Sequence, residues 1–242
     1  MGVLGGPQAG DGGDMSDFES ARQTMVESQL RPSQVTDRRL LAAFATLPRE
    51  RFVPPTKQTL AYMDAGLEVW PSIDGAPPRF LLAPVVLARL IQLAAVEPND
   101  AVLDIGCTTG YSTAVLAHLA RSVTGVEAEP ELAAAASKTL RALGIANASV
   151  VEGELAQGAP AGAPYDVILL NGSVPEVPKT LLAQLKEGGR LVAIVAQDRE
   201  GRARQGKACR FVMVDGEASG LPHFDANAKP LPGFAPAPCF IF

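Results

Sequence analysis

Few residues in this chain could support metal, membrane or secretory chemistry. Its three cysteines, Cys107, Cys209 and Cys239, match no metal-ligand spacing, and their odd count argues against a disulfide framework. No apolar run approaches the roughly 20 residues that a bilayer-crossing helix needs. The N-terminus lacks the basic region and apolar core of a secretory signal. A net charge of −5 leaves no basic excess for nucleic acid or an anionic membrane. Internal repeats and heptads are absent too. The expectation is a cytoplasmic, reduced protein, with neither nucleic acid nor membrane as partner and no metal. The 242 residues, 47% hydrophobic and 19% charged, suit one sizeable globular domain.

One stretch organises what is present. Ala101-Val-Leu-Asp-Ile105 reads as a short buried strand, Gly106 and Gly110 break it, and Ser112 to Leu119 has the composition of a helix. A strand turning through glycines into a helix presents free backbone N–H groups and a positive dipole end. Such a turn sits at the carboxyl edge of an open α/β sheet, where ligands bind. Ser122 to Glu127 is a second strand ending in an acid, with a helix from Pro130 to Leu143 after it. An acid there is the usual acceptor for a ribose diol. Asp104 would repel a pyrophosphate but suits an amine or sulfonium cation. The pair therefore favours S-adenosylmethionine over NAD, and the Gly-x-Gly-x-x-Gly spacing is missing.

The same pattern runs on. Val85 to Ala94 is a helix able to cover one sheet face, Ala148 to Val151 a third strand, and Tyr165 to Leu170 a fourth followed by a loop from Asn171 to Pro178. A helix from Thr180 to Leu185 and a fifth strand from Arg190 to Ala196 come next. Cys209–Val214, Leu221–Ala226 and Ala237–Phe242 read as strands at the far edge, with Gly201 to Lys207 as a solvated hairpin tip. The fold class is α/β: a doubly wound, Rossmann-like sheet with an N-terminal helical cap and C-terminal antiparallel strands. The cap spans 15–84 and the core 85–242, after a Gly-rich stretch, 1–14, read as a disordered leader (a cloning remnant or an upstream start before Met15). Within the cap, a first helix stops before Pro32, Thr36 is the N-cap of a second, and Leu47 to Pro55 is an extended strap anchored by Phe52 and Val53. Trp70 is expected in the core.

Several of these segments carry a resemblance. Asp-Ile-Gly-x-x-x-Gly-Tyr, Gly-Val-Glu127, Val151-Glu-Gly-Glu154 and Tyr165 to Leu170 resemble the class I methyltransferase motif series. Met25-Val-x-x-Gln-Leu, Leu47-Pro-Arg-Glu-x-Phe-Val-Pro54, Ala61-Tyr-x-Asp64 and Gln184-Leu-x-x-Gly-Gly-Arg-Leu-Val192 are more specific. They resemble the protein-L-isoaspartate O-methyltransferase family, over roughly Met25 to Val195. A tail like Leu231 to Phe242 is similar to a divergent branch seen in alphaproteobacteria.

The resemblance implies S-adenosylmethionine as cofactor and a methyl acceptor that is a protein or peptide carboxylate, or a small molecule. It places the cofactor on Asp104, Gly106, Cys107, Thr109 and Gly110 of the first loop, and on Glu127 and Ala128 after the second strand. Glu154 and Leu155 would meet the adenine, and Asn171 the methyl donor. Candidates near the acceptor are Asp64, Arg79, Leu82 and Ser173. Asp64 also reads as a solvated loop acid, Arg79 as a surface arginine, and Asn171 and Ser173 as loop caps. The chain departs from the family twice. Phe80, Leu82 and Ala83 replace the Thr, Ser and Gln of Thr-x-Ser-Gln-Pro, whose polar groups contact the acceptor carboxylate and the cofactor; only Pro84 remains. Losing donors around a buried carboxylate costs about 1–3 kcal/mol for each group left unpaired, so isoaspartate repair is in doubt and a weak or inactive binding protein is the alternative. Thr108 stands where the family has Gly, and a β-branched residue resists positive φ.

Overall fold

A computed structural model describes residues 13–73, 75–196 and 205–234. The expected leader lies outside these, except for Gly13 and Asp14, which open α1 (Gly13–Met25). α1 continues through a π-helical turn, Val26–Leu30, ahead of Pro32, whose ring cannot extend a helix. α2 (Arg38–Thr46) starts one residue later than expected, because Asp37 rather than Thr36 supplies the cap. Asp37 accepts from Arg39 N at 2.8 Å and Leu40 N at 3.2 Å. Thr36 N instead donates to Gln92 Oε1 at 2.7 Å.

The Leu47–Pro55 strap is not extended. It coils into a 3-10 turn at Arg49–Phe52, and Pro55–Leu60 forms another, since the fixed φ of Pro55 suits a first helical position. Phe52 and Val53 are buried as anchors. β1 (Leu67–Trp70) and β2 (Arg79–Leu81) then pair antiparallel. Trp70 is half-buried rather than in the core, because it ends β1 beyond a register shift.

From α3 (Pro84–Ala94) the chain alternates as expected: β3 (Ala101–Ile105), α4 (Tyr111–Ala117), β4 (Ser122–Glu127), α5 (Pro130–Ala142), β5 (Ala148–Glu152), β6 (Tyr165–Val174), α6 (Lys179–Leu182) and β7 (Leu185–Val195). β8 (Gly206–Val214) and β9 (Glu217–Ala226) follow, and the sheet order is β5-β4-β3-β6-β7-β8-β9. The five strands from β5 to β7 in that order are parallel, and β8 and β9 add antiparallel. Successive side chains of a strand face opposite ways. Val167 and Leu169 accordingly meet the core under α1 to α4, while Ile168 and Leu170 join a second core with Leu155, Leu181 and Leu231. That second face is covered thinly, by α6, short 3-10 turns and Leu231.

Two expectations change at the C-terminal half. β6 does not stop at Leu170 but runs to Val174, because Ser173 pairs with Ile194 of β7 and bridges to Pro230. The β8–β9 turn is Asp215-Gly216, and β8 pairs antiparallel with β7; Lys207, expected in a hairpin tip, lies inside β8 paired with Asp225, and residues 201–204 fall outside the described residues. The strand expected at Ala237–Phe242 also falls outside them. Among the described residues no helix is long and apolar enough to cross a membrane, and no cluster of His, Cys, Asp and Glu could hold a metal ion.

Candidate active site

The carboxyl ends of β3, β4 and β6 bring Asp104, Glu127 and Asn171 to one edge. Asp104 is fully buried. Its Oδ2 accepts from Ser112 Oγ at 2.8 Å and Thr113 Oγ1 at 2.6 Å, and its Oδ1 accepts from the Asn171 amide. Burial pushes the carboxyl up to about 6, against the pull of these hydrogen bonds, and the nearby Glu127 charge adds to the rise. Asn171 therefore orients Asp104 and donates to Ile105 O as well.

The glycine loop behaves as its residue types dictate. Gly106 and Gly110 take φ of 72° and 91°, and Thr108 is forced to 51°, which β-branched residues rarely adopt. Cys107 points inward, fully buried, and desolvation first, then Asp104 and Glu127, push its thiol well up. It is structural packing, not a nucleophile. Thr109 Oγ1 donates to Phe52 O at 2.6 Å and pins the cap to the loop. Gly110 backs onto α5, where an added Cβ would lie 3.1 Å from Ala136 Cβ.

Glu127 is where the sequence placed it, but it is already in use. Both its oxygens accept from Arg79, Oε2 also takes Thr108 N at 2.8 Å, and Oε1 takes Ala128 N at 2.8 Å and Glu129 N at 3.2 Å. A carboxylate has about four lone-pair sites, and those five bonds fill them. Arg79 is correspondingly a buried residue, 3% exposed, not a surface arginine. Burying a charge is costly unless it is paired, which Glu127 provides, and the apolar run Phe80 to Ala83 beside Arg79 was the signal.

The remaining candidates divide. Leu155 is buried beside Gly106, with Cδ1 3.6 Å from an added Cβ, while the Glu154 side chain is exposed. Asp64 caps α3, accepting from Val85 N at 3.0 Å. Leu82 is buried against Asn171 and Arg79 around a small cavity. Ser173 lines a groove of about 840 Å³ between Phe80, Ile194 and Lys229; Lys229 sits over the Phe80 ring at 5.6 Å.

Two groups went unrecognised as site residues although both stand in quoted motifs. Arg49 is fully buried, donates to Ala61 O at 2.8 Å and Leu82 O at 2.7 Å, and stacks on Tyr111 at 4.6 Å. It has no carboxylate partner among the described residues, and burial lowers its pKa. Its Nη1 and the Tyr111 Oη are both buried and make no hydrogen bond to any group outside this pair. Burial raises the Tyr111 hydroxyl to about 12, so it stays protonated. Both residues line a small cavity with Phe80, Leu82, Ser112 and Asn171. Leu231 was missed too: an added Cβ on Gly106 would lie 2.8 Å from its Cδ2 and 3.2 Å from Arg79 Nη2.

Comparison with known proteins agrees with this layout. Residues 20–212 match the family model described as protein-L-isoaspartate(D-aspartate) O-methyltransferase. A protein-L-isoaspartate O-methyltransferase of Koribacter versatilis is 36% identical over 86% of this chain and 97% of its own length. One from Herpetosiphon aurantiacus is 40% identical over 77% and 82%. A solved protein-L-isoaspartate O-methyltransferase superposes with a TM-score of 0.75 at 28% identity, covering 88% of this chain and 66% of the other. A putative one from Plasmodium falciparum, solved with S-adenosyl-L-homocysteine, shares the fold at a TM-score of 0.71, 17% identity and coverage of 86% and 96%. With most of its length matched by the family model and by relatives above one-third identity, the chain belongs to the protein-L-isoaspartate(D-aspartate) O-methyltransferase family.

Proposed function

We propose that this chain is an S-adenosylmethionine-dependent methyltransferase that esterifies a carboxyl group on a protein or peptide. Acidic groups at the ends of β3 and β4, flanking the glycine loop, carry this reading. The residues present fit the cofactor: Glu127 suits a ribose diol, Asp104 suits a cationic amine, and the Gly106–Gly110 loop lies at the same edge. Ala128 and Leu155 would border the sugar and base. When bound, the sulfonium supplies a methyl group already activated for in-line attack by a carboxylate oxygen, with the thioether as leaving group. The protein's own task is positioning.

Arg49 and Tyr111 support a carboxylate acceptor even without the family's Thr, Ser and Gln. A guanidinium and a phenol, buried with unused donors, are complementary to a carboxylate. Phe80 lines both their cavity and the open groove, which offers a path for a peptide. Isoaspartyl selectivity is expected to be poor, because the three apolar replacements supply no hydrogen bonds to tell an isoaspartyl from an aspartyl carboxylate.

Radiolabelled methyl transfer to an isoaspartyl peptide and its aspartyl control tests this. Base-labile methyl esters on both peptides, at similar rates, are expected. Strongly isoaspartyl-selective turnover would overturn the poor-selectivity reading. A second reading, a weak or inactive cofactor-binding protein, is favoured by the apolar Phe80, Leu82 and Ala83; cofactor binding without any ester product would select it.

A further inference from the structure

We propose that the chain closes its own cofactor site, with Arg79 standing in for the ribose on Glu127 and Leu231 filling the space above the glycine loop. The proposal rests on the methyltransferase reading and adds a condition: binding requires release of the segment around Leu231.

Two independent observations meet here. The first is the filled carboxylate. Glu127 accepts five hydrogen bonds, two of them from Arg79, so a ribose diol finds no lone pair until the guanidinium leaves. The second is volume. Leu231 is 6% exposed and drops onto two glycines at once. An added Cβ would lie 2.8 Å from its Cδ2 at Gly106 and 2.6 Å from its Cγ at Gly172. The cavity left between Arg79, Asn171 and Leu231 measures about 10 Å³, room for one water and far too little for an adenosyl group.

The closing segment is lightly held. Leu231 N donates to Ser173 O at 2.9 Å, Ser173 N donates to Lys229 O at 3.0 Å, and Ser173 Oγ donates to Ala228 O at 3.1 Å. Lys229 and Pro230 themselves are exposed. Three hydrogen bonds, the Lys229–Phe80 contact and the packing of Ala228, Leu231 and Phe234 can be exchanged for a ligand without unfolding the sheet. Because the closed form competes with the ligand, the apparent affinity is the intrinsic affinity multiplied by the fraction of molecules that are open.

Calorimetric titration with S-adenosylhomocysteine into the full chain, Leu231→Ala and Arg79→Gln tests this, with amide hydrogen exchange of the unmodified chain at Ser173 and Leu231. Leu231→Ala is expected to bind about tenfold tighter or better. Saturating ligand is expected to strip protection from both amides. The exchange measurement decides the matter even where a variant does not fold. Binding that leaves both amides protected, or a folded Leu231→Ala that binds no tighter, overturns the closure and leaves the methyltransferase reading standing. No binding by any folded form at millimolar ligand overturns both.

Discussion

Thr108 holds φ at 51° with its side chain 2% exposed, a conformation that costs a non-glycine residue about 1–2 kcal/mol. It is tolerated because its N–H must reach Glu127 Oε2 at 2.8 Å. Truncating a buried Thr ordinarily destabilises, but here release of strain offsets the lost contacts. Thr108→Gly is therefore expected to change unfolding free energy by less than about 1 kcal/mol in either direction, read by denaturant titration. A larger loss would mean the backbone is unstrained. Asp104 gives a pH prediction. Its carboxyl is raised to about 6 in the folded chain, above the unfolded value near ~3.9. Between those values the folded state binds more protons than the unfolded one, so this group makes stability fall as pH rises from about 4 to about 6, by up to about 3 kcal/mol. Asp104→Asn removes the titration. Its unfolding free energy should be flatter across that window than the unmodified chain's; parallel profiles would contradict the raised value.

Among elements, the βα core was legible and its attachments were not. β3 and β4 fall at the bounds the sequence suggests, Ala101–Ile105 and Ser122–Glu127, because short apolar runs closed by glycine or acid leave little choice of register. β6 was read four residues short, since its extension depends on pairing with Pro230, far along the chain. Asp104, Gly106 and Glu127 were legible as a site because strand ends place them. That Arg79 already occupies Glu127, 48 positions away, was not, because local patterning carries no information about which buried charges pair. The N-cap of α2 failed by a single residue, between two good capping types, Thr36 and Asp37. Asp37→Ala should cost about 1 kcal/mol and lower Tm by about 2–4 °C for a chain of this size. Thr36→Ala should cost less, as its hydroxyl reaches Gln92 only at 3.5 Å. Scanning calorimetry of the two variants gives the order, and the reverse order would return the cap to Thr36.

Across the whole molecule, three distant parts of the chain converge on one edge of the sheet. The cap contributes Arg49 and the apolar Phe80-Leu81-Leu82-Ala83 run, the sheet contributes Asp104 and Glu127, and the segment after β9 contributes Leu231. Each part alters what the others can do. Restoring Thr, Ser and Gln at 80, 82 and 83 would rebuild donors for an isoaspartyl carboxylate, yet methyl transfer would still be limited by the cofactor affinity that closure by Leu231 lowers. Removing Leu231 alone would ease cofactor entry while leaving the acceptor carboxylate only Arg49 and Tyr111 as donors. The two changes should therefore combine far beyond the sum of their effects, as groups acting as a unit do. The triple variant Phe80→Thr, Leu82→Ser, Ala83→Gln is expected to show little isoaspartyl-selective activity, and Leu231→Ala to methylate isoaspartyl and aspartyl peptides about equally. The quadruple variant should favour the isoaspartyl peptide by about tenfold or more, the ratio that 1.4 kcal/mol of restored hydrogen bonding gives. Initial rates of radiolabelled methyl transfer on both peptides, for all four forms, measure this directly. If the triple variant alone gains full selectivity at the same cofactor concentration, Leu231 does not limit access. If the quadruple variant gains none, the carboxylate is held by Arg49 and Tyr111 without help from positions 80, 82 and 83.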